Sequence, residues 1–489
     1  MLFSIIVNLY AVRVIWQVLG IDDYGIYNVV AGIVMMFSFI NSGMVASSQR
    51  FISFELGRRD FEKLNKVFSI SLTVHALIAI LVLILAETIG VWFLNSELNI
   101  PDDRMNAANW IYQFSILSFM VTIISVPYNA CIVAHEHMKA YGYFGILEVV
   151  LKLVIVFLLM VIPGDKLIVY GLLLLAVSVL MRIIYGIYCA KNFQECHYSN
   201  TKDFSLIKEM FSFAGWSFVG NMGFSVRDQG INFILNMFFN VAVNAAKGIA
   251  NNVATVISGF ALNFQMAMNP QITKRYAAGE IDSMLSLIYS GCKYSCFLLL
   301  IFVIPIGIGA EPILKLWLGD VAPYTVGFLQ LMLVMATVDS MVSPITTALQ
   351  ATGKIKKFQI IISLIMISTL VFSWIWLKFQ TVPYVVMYVC IAISAVALVT
   401  RLRLLHELVA VSYRKFLKNA ILPSVAVTAV SLTLGLFIYQ YFSTDFLGLV
   451  AFGAISCMIT ALAICFLGLS SKERNFVKNM VAARLKIRK

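Results

Sequence analysis

Apolar residues gather into fourteen long blocks, near residues 1–19, 24–48, 68–94, 109–134, 143–162, 167–190, 211–239, 241–268, 288–309, 324–351, 358–378, 383–404, 420–440 and 446–469. A helix crosses a bilayer with roughly 20 apolar residues, so each block reads as a candidate span. Several run past 25 residues, which implies tilt or projection beyond the hydrocarbon. The loops between blocks are short, and none could hold a separate soluble domain.

The seventh and eighth blocks break this pattern. Asn221, Ser225, Asp228, Asn232 and Asn236 recur at helical spacing and form one polar stripe. Gly220, Gly223, Arg227 and Gly230 form a second stripe beside it. In the eighth block Asn244, Lys247, Asn251, Thr255 and Ser258 run along one side. Two neighbouring spans with polar stripes imply a shared hydrated cleft. The alternative is polar glue between helices that glycine lets approach closely. Adjacent residues on a helix do not face each other, so Arg227 and Asp228 are expected to diverge rather than neutralise one another.

Composition excludes a soluble protein. Of 489 residues, 61% are hydrophobic and 12% charged, and mean hydropathy is +0.90. The formal charge of +12 could suggest nucleic acid, but its distribution points elsewhere. Take the loop at 49–67 as inner. The inner loops and the tail then hold 26 of the 36 Lys and Arg, with Arg401 and Arg403 among them. The outer loops hold four: Arg104, Lys166, Lys315 and Lys378. The positive-inside rule places both termini in the cytoplasm. The basic tail after Ser471 is expected to lie against anionic lipid headgroups. Nothing resembles a cleaved signal peptide, and the chain enters its first block at once, so a start upstream of Met1 is expected.

Three stretches recur in the same order. YNVVAGIV at Tyr27–Val34 aligns with VNAAKGIA at Val243–Ala250, SQRFISFELGRRD at Ser48–Asp60 with PQITKRYAAGEID at Pro270–Asp282, and VPYNACIVAHEHMKAYGY at Val126–Tyr143 with SPITTALQATGKIKKFQI at Ser343–Ile360. The offsets are 216, 222 and 217 residues, which argues for duplication. Six spans separate equivalent points, so the halves share one orientation. The expected fold is an all-α polytopic membrane protein with two pseudo-symmetric six-helix lobes and a central cavity. The lobes take residues 1–200 and 201–410, a helix pair takes 411–470, and a basic tail takes 471–489.

No catalytic centre is legible. There is no GxxxxGK[ST] loop and no HExxH pair, so neither an enzyme, a cofactor nor a metal is expected. The eight cysteines lack zinc-like spacing, and most lie within apolar blocks as small hydrophobes. His135 and His137 sit at a span end, where on a helix they would diverge. Charges within the spans matter more: Arg13, Glu148, Lys152, Arg227, Asp228, Lys247 and Asp339. Glu148 and Lys152 are spaced for a local ion pair, and with Asp339 they are candidates for a structural pair or ion coupling. Arg13, Arg227 and Lys247 have no acidic partner on the same turn and face. The repeat places one arginine in the first span of each lobe. Guanidinium groups suit bidentate recognition of phosphate, so these cations could form a receptor for an anionic headgroup. Asn221, Ser225, Asp228, Asn232, Asn244 and Asn251 would supply its polar walls.

LGIDDYGIYNVV at Leu19–Val30, RFISFELG at Arg50–Gly57, VNAAKGIA at Val243–Ala250, NPQI at Asn269–Ile272 and EPILKLWLG at Glu311–Gly319 carry a resemblance. The sequence is similar to the polysaccharide-biosynthesis membrane proteins of the multidrug/oligosaccharidyl-lipid/polysaccharide exporter superfamily. The resemblance implies a MATE-like fold, alternating access, and outward flipping of undecaprenyl-pyrophosphate-linked glycans across the bacterial inner membrane. It also implies that Arg13, Arg227 and, more loosely, Lys247 hold the pyrophosphate. The polysaccharide polymerase machinery would be a partner. A drug or cation exporter of the same fold is the alternative, but it calls for acidic and aromatic groups, and the first span has no Asp or Glu. A glycan polymerase or ligase would need a large external loop, and the longest is about Asn95–Ala108.

Overall fold

The computed structural model describes residues 38–475, apart from 97–99, 200–202, 240, 319–320 and 381, together with scattered positions between 15 and 34. Among these residues every regular element is a helix. The chain runs through α1 (Ser38–Arg58), α2 (Phe61–Ser96), α3 (Met105–Ala134), α4 (Met138–Val161), α5 (Lys166–Asn192) and α6 (Phe204–Phe238). It continues through α7 (Val241–Ala277), α8 (Ile281–Ile308), the short α9 (Ala310–Leu318), α10 (Thr325–Asp339) and α11 (Val342–Ala351). The last four are α12 (Lys356–Leu377), α13 (Val385–Val409), α14 (Tyr413–Tyr439) and α15 (Phe446–Gly468).

Ten candidate spans among the described residues are long and apolar enough to cross a membrane, with α10 and α11 counted as one. They overlie ten of the fourteen apolar blocks. The seventh and eighth blocks form α6 and α7, of 35 and 37 residues, whose polar stripes make them less apolar. The first block and the start of the second lie mostly outside the described residues. Local signals set the helix ends. Asp60 caps α2 by accepting from the Lys63 amide at 3.1 Å, and Asp165 caps α5 through the amides of Leu167 and Ile168. Gly279 and Gly353 follow α7 and α11 at φ +78° and +75°, a left-handed conformation that glycine adopts without a Cβ penalty.

The chain divides into two compact units, Met1–Phe218 and Val219–Lys489. In the N-terminal unit α3 packs against α1, α2 and α5. Ile111, Tyr112 and Ile116 of α3 are buried there, and the Tyr112 hydroxyl donates to the Ala86 carbonyl at 2.8 Å. At the start of α3, Arg104 pairs with both Asp23 and Asp165 at 2.6 Å. Burial would raise the Asp165 carboxyl, but the Arg104 guanidinium and the capping amides outweigh it and hold the group below the usual range.

In the C-terminal unit α7 packs against α8, α10 and α11, while α14 and α15 pack on α8. Leu436 and Phe437 of α14 and Val450 and Met458 of α15 are exposed, as befits a surface that meets lipid. The glycine stripe of α6 faces α12 in register. A Cβ on Gly223 would come within 2.7 Å of the Ser363 Cα, and one on Gly230 within 2.6 Å of the Leu370 side chain. The Ser363 hydroxyl donates to the Val219 carbonyl at 2.9 Å. This stripe is therefore a helix-packing seam, as the polar-glue reading has it. Gly223→Ala should cost roughly 1–3 kcal/mol through overpacking against backbone. A thermal unfolding scan in detergent that leaves Tm unchanged would refute the seam.

Candidate functional site

A cavity of about 660 Å3 opens within the C-terminal unit, walled by residues of α6, α7, α10, α11, α12 and α13. Helix α6 supplies Asn221, Phe224 and Arg227, and α7 supplies Asn251, Thr255 and Ser258. Asp339 comes from the end of α10 and Arg401 from α13.

Arg227 rises from the packing seam, so its stem is held against α12 and its residue is only 6% exposed. Nη1 reaches the Met366 sulfur at 3.4 Å. Nε and Nη2 both lie 2.9 Å from Oδ1 of Asp228. That overturns the expectation that these neighbours diverge and that Arg227 lacks an acidic partner. Cα–Cβ directions do diverge, but the arginine stem is long enough to bring its planar head back to the next residue.

Arg401 corrects a second expectation. Sequence placed it in an inner loop, whereas α13 continues to Val409 and carries Arg401 into the cavity wall at 2% exposure. Its Nε has no hydrogen-bond partner among the described residues. The two guanidinium carbons lie 5.5 and 5.8 Å from the Phe224 ring centroid, within reach of its π face. A buried guanidinium without a full set of acceptors stabilises an anion that enters beside it.

The other expected site residues distribute as follows. Asn221, Arg227, Asn251 and Asp339 line the one cavity. Ser225 and Asp228 are exposed and do not line it. Lys247 also stands apart from its wall: its Nζ donates to Oδ1 of Asn232 at 2.7 Å, joining α7 to α6. Arg13 and the side chain of Asn244 lie outside the described residues. Glu148 and Lys152 form the i,i+4 pair at 2.7 Å. They line a separate cavity of about 340 Å3 in the N-terminal unit, with Ser115, Ser118, Thr122 and Asn129.

Sequence reasoning also passed over Lys293. It sits within α8 at 5% exposure and donates to Glu473 at 2.8 Å. Its signal was plain: a lysine inside the 288–309 block. Its partner was not, because Glu473 belongs to the segment assigned to the lipid surface. His135 and His137 do not diverge either. A turn separates them, and their rings approach to 6.3 Å beside Phe193.

Solved structures share this fold. A MATE structure in the bent conformation matches with a TM-score of 0.70 at 12% identity, covering 82% of this chain and 91% of its own. An outward-facing multidrug resistance MATE family transporter of the MOP superfamily matches at 0.70 and 14%, covering 83% and 92%. A MOP superfamily transporter from Pyrococcus furiosus, described as having a binding pocket of reverse polarity, matches at 0.67 and 13%, covering 83% and 93%. Helices, spans and likeness define a multi-pass membrane protein with the MATE fold. The chain also matches the family described as "Polysaccharide biosynthesis protein" over residues 1–275 and the MatE family over 217–375. It belongs to the polysaccharide biosynthesis protein family. No curated protein matches the chain.

Proposed function

We propose that the protein is a flippase that moves undecaprenyl-pyrophosphate-linked oligosaccharide outward across the bacterial inner membrane for surface polysaccharide synthesis. The reading rests on one observation: two buried guanidinium groups, Arg227 and Arg401, share a cavity wall with one carboxylate among the described residues, Asp339. The cavity volume falls within the range of about 300–1,000 Å3 usual for small-ligand sites, which suits a diphosphate headgroup. Arginine presents a planar fork to phosphate oxygens, and a low-dielectric wall strengthens each such contact. Arg13 and Lys247 enter this reading as further candidate cations for the headgroup. The excess of basic residues on one side of the spans supports an inner-membrane orientation with cytoplasmic termini. It also supports contacts of loops and tail with anionic lipid. The polysaccharide polymerase machinery would take the product.

Asp339 favours a second reading, export of a cationic compound, because it gives the cavity an acidic group. Deletion in the native host separates the two. The flippase reading expects loss of surface polysaccharide and accumulation of its lipid-linked precursor, both reversed by the restored gene. Normal polysaccharide together with heightened sensitivity to cationic drugs would instead establish the second reading.

A further inference from the structure

Three cysteines far apart in sequence meet at one end of the N-terminal unit. Cys131 lies in the last turns of α3, Cys189 in the last turn of α5, and Cys196 in the loop that follows. All three are buried, and the Cys196 thiol neighbours those of both Cys131 and Cys189. Beside Cys131 and Cys196 sits the carboxylate of Glu195, a residue 3% exposed. Ligand atoms of Cys131, Glu195 and Cys196 lie within 4.8 Å of one another. Cys189 also donates to the Tyr128 carbonyl at 3.6 Å.

We propose that Cys131, Cys189, Cys196 and Glu195 form a structural binding site for a soft divalent cation, zinc by its ligand chemistry. Three sulfurs and one carboxylate oxygen make a four-ligand set of the kind zinc takes in tetrahedral structural sites. Zinc–sulfur bonds of about 2.3 Å put sulfurs about 3.8 Å apart across such a tetrahedron, so Cys131, Glu195 and Cys196, within 4.8 Å of one another, would draw in slightly and Cys189 would turn toward them as the fourth ligand. Binding releases the three thiol protons to solvent, leaving three thiolates and one carboxylate around the ion.

The surroundings hold these ligands in place. His135 Nε2 lies 2.5 Å from Oε1 of Glu195, so the histidine fixes one carboxylate oxygen and leaves the other for the ion. This is the outer layer that metal ligands usually require. The His135 ring stacks on Phe193 at 4.1 Å, which sets its plane. The loop itself is pinned to α2. Asn65 Nδ2 donates to the carbonyls of Glu195 at 2.9 Å and His197 at 2.7 Å, and the Ser199 amide donates to the Ser69 hydroxyl at 3.0 Å. His135 compensates part of the cost of burying the Glu195 carboxylate, and a bound ion would compensate the rest. A bound ion would staple the ends of α3 and α5 and the loop that leads on to α6.

The test uses the full-length protein purified in detergent, stripped with chelator and titrated with Co2+. The expected result is one cobalt per chain, with a near-ultraviolet sulfur-to-cobalt charge-transfer band and visible bands of tetrahedral intensity, all abolished by one equivalent of Zn2+. Cys131→Ser and Cys196→Ser should each weaken binding at least tenfold, while Cys292→Ser leaves it unchanged. Glu195→Gln should keep the charge-transfer band and shift the visible bands, which guards against misfolding of the cysteine variants. Absence of a charge-transfer band overturns the proposal, as does a band that persists unchanged in Cys131→Ser. So does a Cys131–Cys196 disulfide in protein whose thiols are alkylated at lysis.

Discussion

Arg227→Ala should slow flipping of lipid-linked oligosaccharide at least about tenfold, since hydrogen bonds to charged groups contribute about 1.5–3 kcal/mol each. Arg227→Lys should keep part of the rate, because the charge stays while the planar fork is lost. The geometry sharpens this expectation. Arg227 is committed on one edge to Asp228 and on another to the Met366 sulfur, so it enters the cavity pre-positioned. Those contacts also make folding the competing explanation. Membrane abundance and Tm must therefore be measured beside transport. A loss of flipping that merely tracks the loss of folded protein, or an unaltered rate in Arg227→Ala, would count against a role in substrate binding.

Glu473→Gln should destabilise the protein by about 1–3 kcal/mol, because it strands the buried Lys293 ammonium while Glu473 itself is part-exposed. Lys293 is 5% exposed, and both Glu473 oxygens lie 2.8 Å from its Nζ. Adding Lys293→Met should restore most of the loss, because the stranded charge is then gone. The pair also predicts a pH dependence. Burial would raise the Glu473 carboxyl, but Lys293, Tyr294 and the Ser470 amide outweigh it and bring it down to about 2. An acid held below its unfolded value of about 4.3 contributes fully above that pH and loses its contribution as pH falls through the folded value. Unfolding followed by tryptophan fluorescence should show this loss between about pH 4 and pH 2 in the native chain but not in the double variant. An identical acid limb in both would refute the pairing.

Much of the fold could be read from hydropathy because a span of about 20 residues averages over local detail. The polar faces of α6 and α7 stood out against that background, and Asn221, Arg227 and Asn251 do share a cavity. What stayed hidden depends on which helix lies opposite. The Gly220–Gly223–Gly230 stripe fits a cleft or a seam equally well until Ser363 and Leu370 are seen against it. Arg401 was counted with the inner loop because it stands near the end of the 383–404 block, whereas the helix runs on to Val409. The Arg227–Asp228 contact needed side-chain reach, which spacing rules leave out. The cysteine cluster left no spacing signal, since its members come from the ends of two helices and a loop.

The central claim concerns the chemistry of the substrate, and reconstitution reads it directly. Purified protein in proteoliposomes should move undecaprenyl-pyrophosphate-linked oligosaccharide between leaflets, at a rate that Arg227→Ala lowers at least about tenfold. Vesicles that leave every diphosphate-linked glycan tested on its original leaflet, yet transport a cationic compound in an Asp339-dependent way, would contradict it.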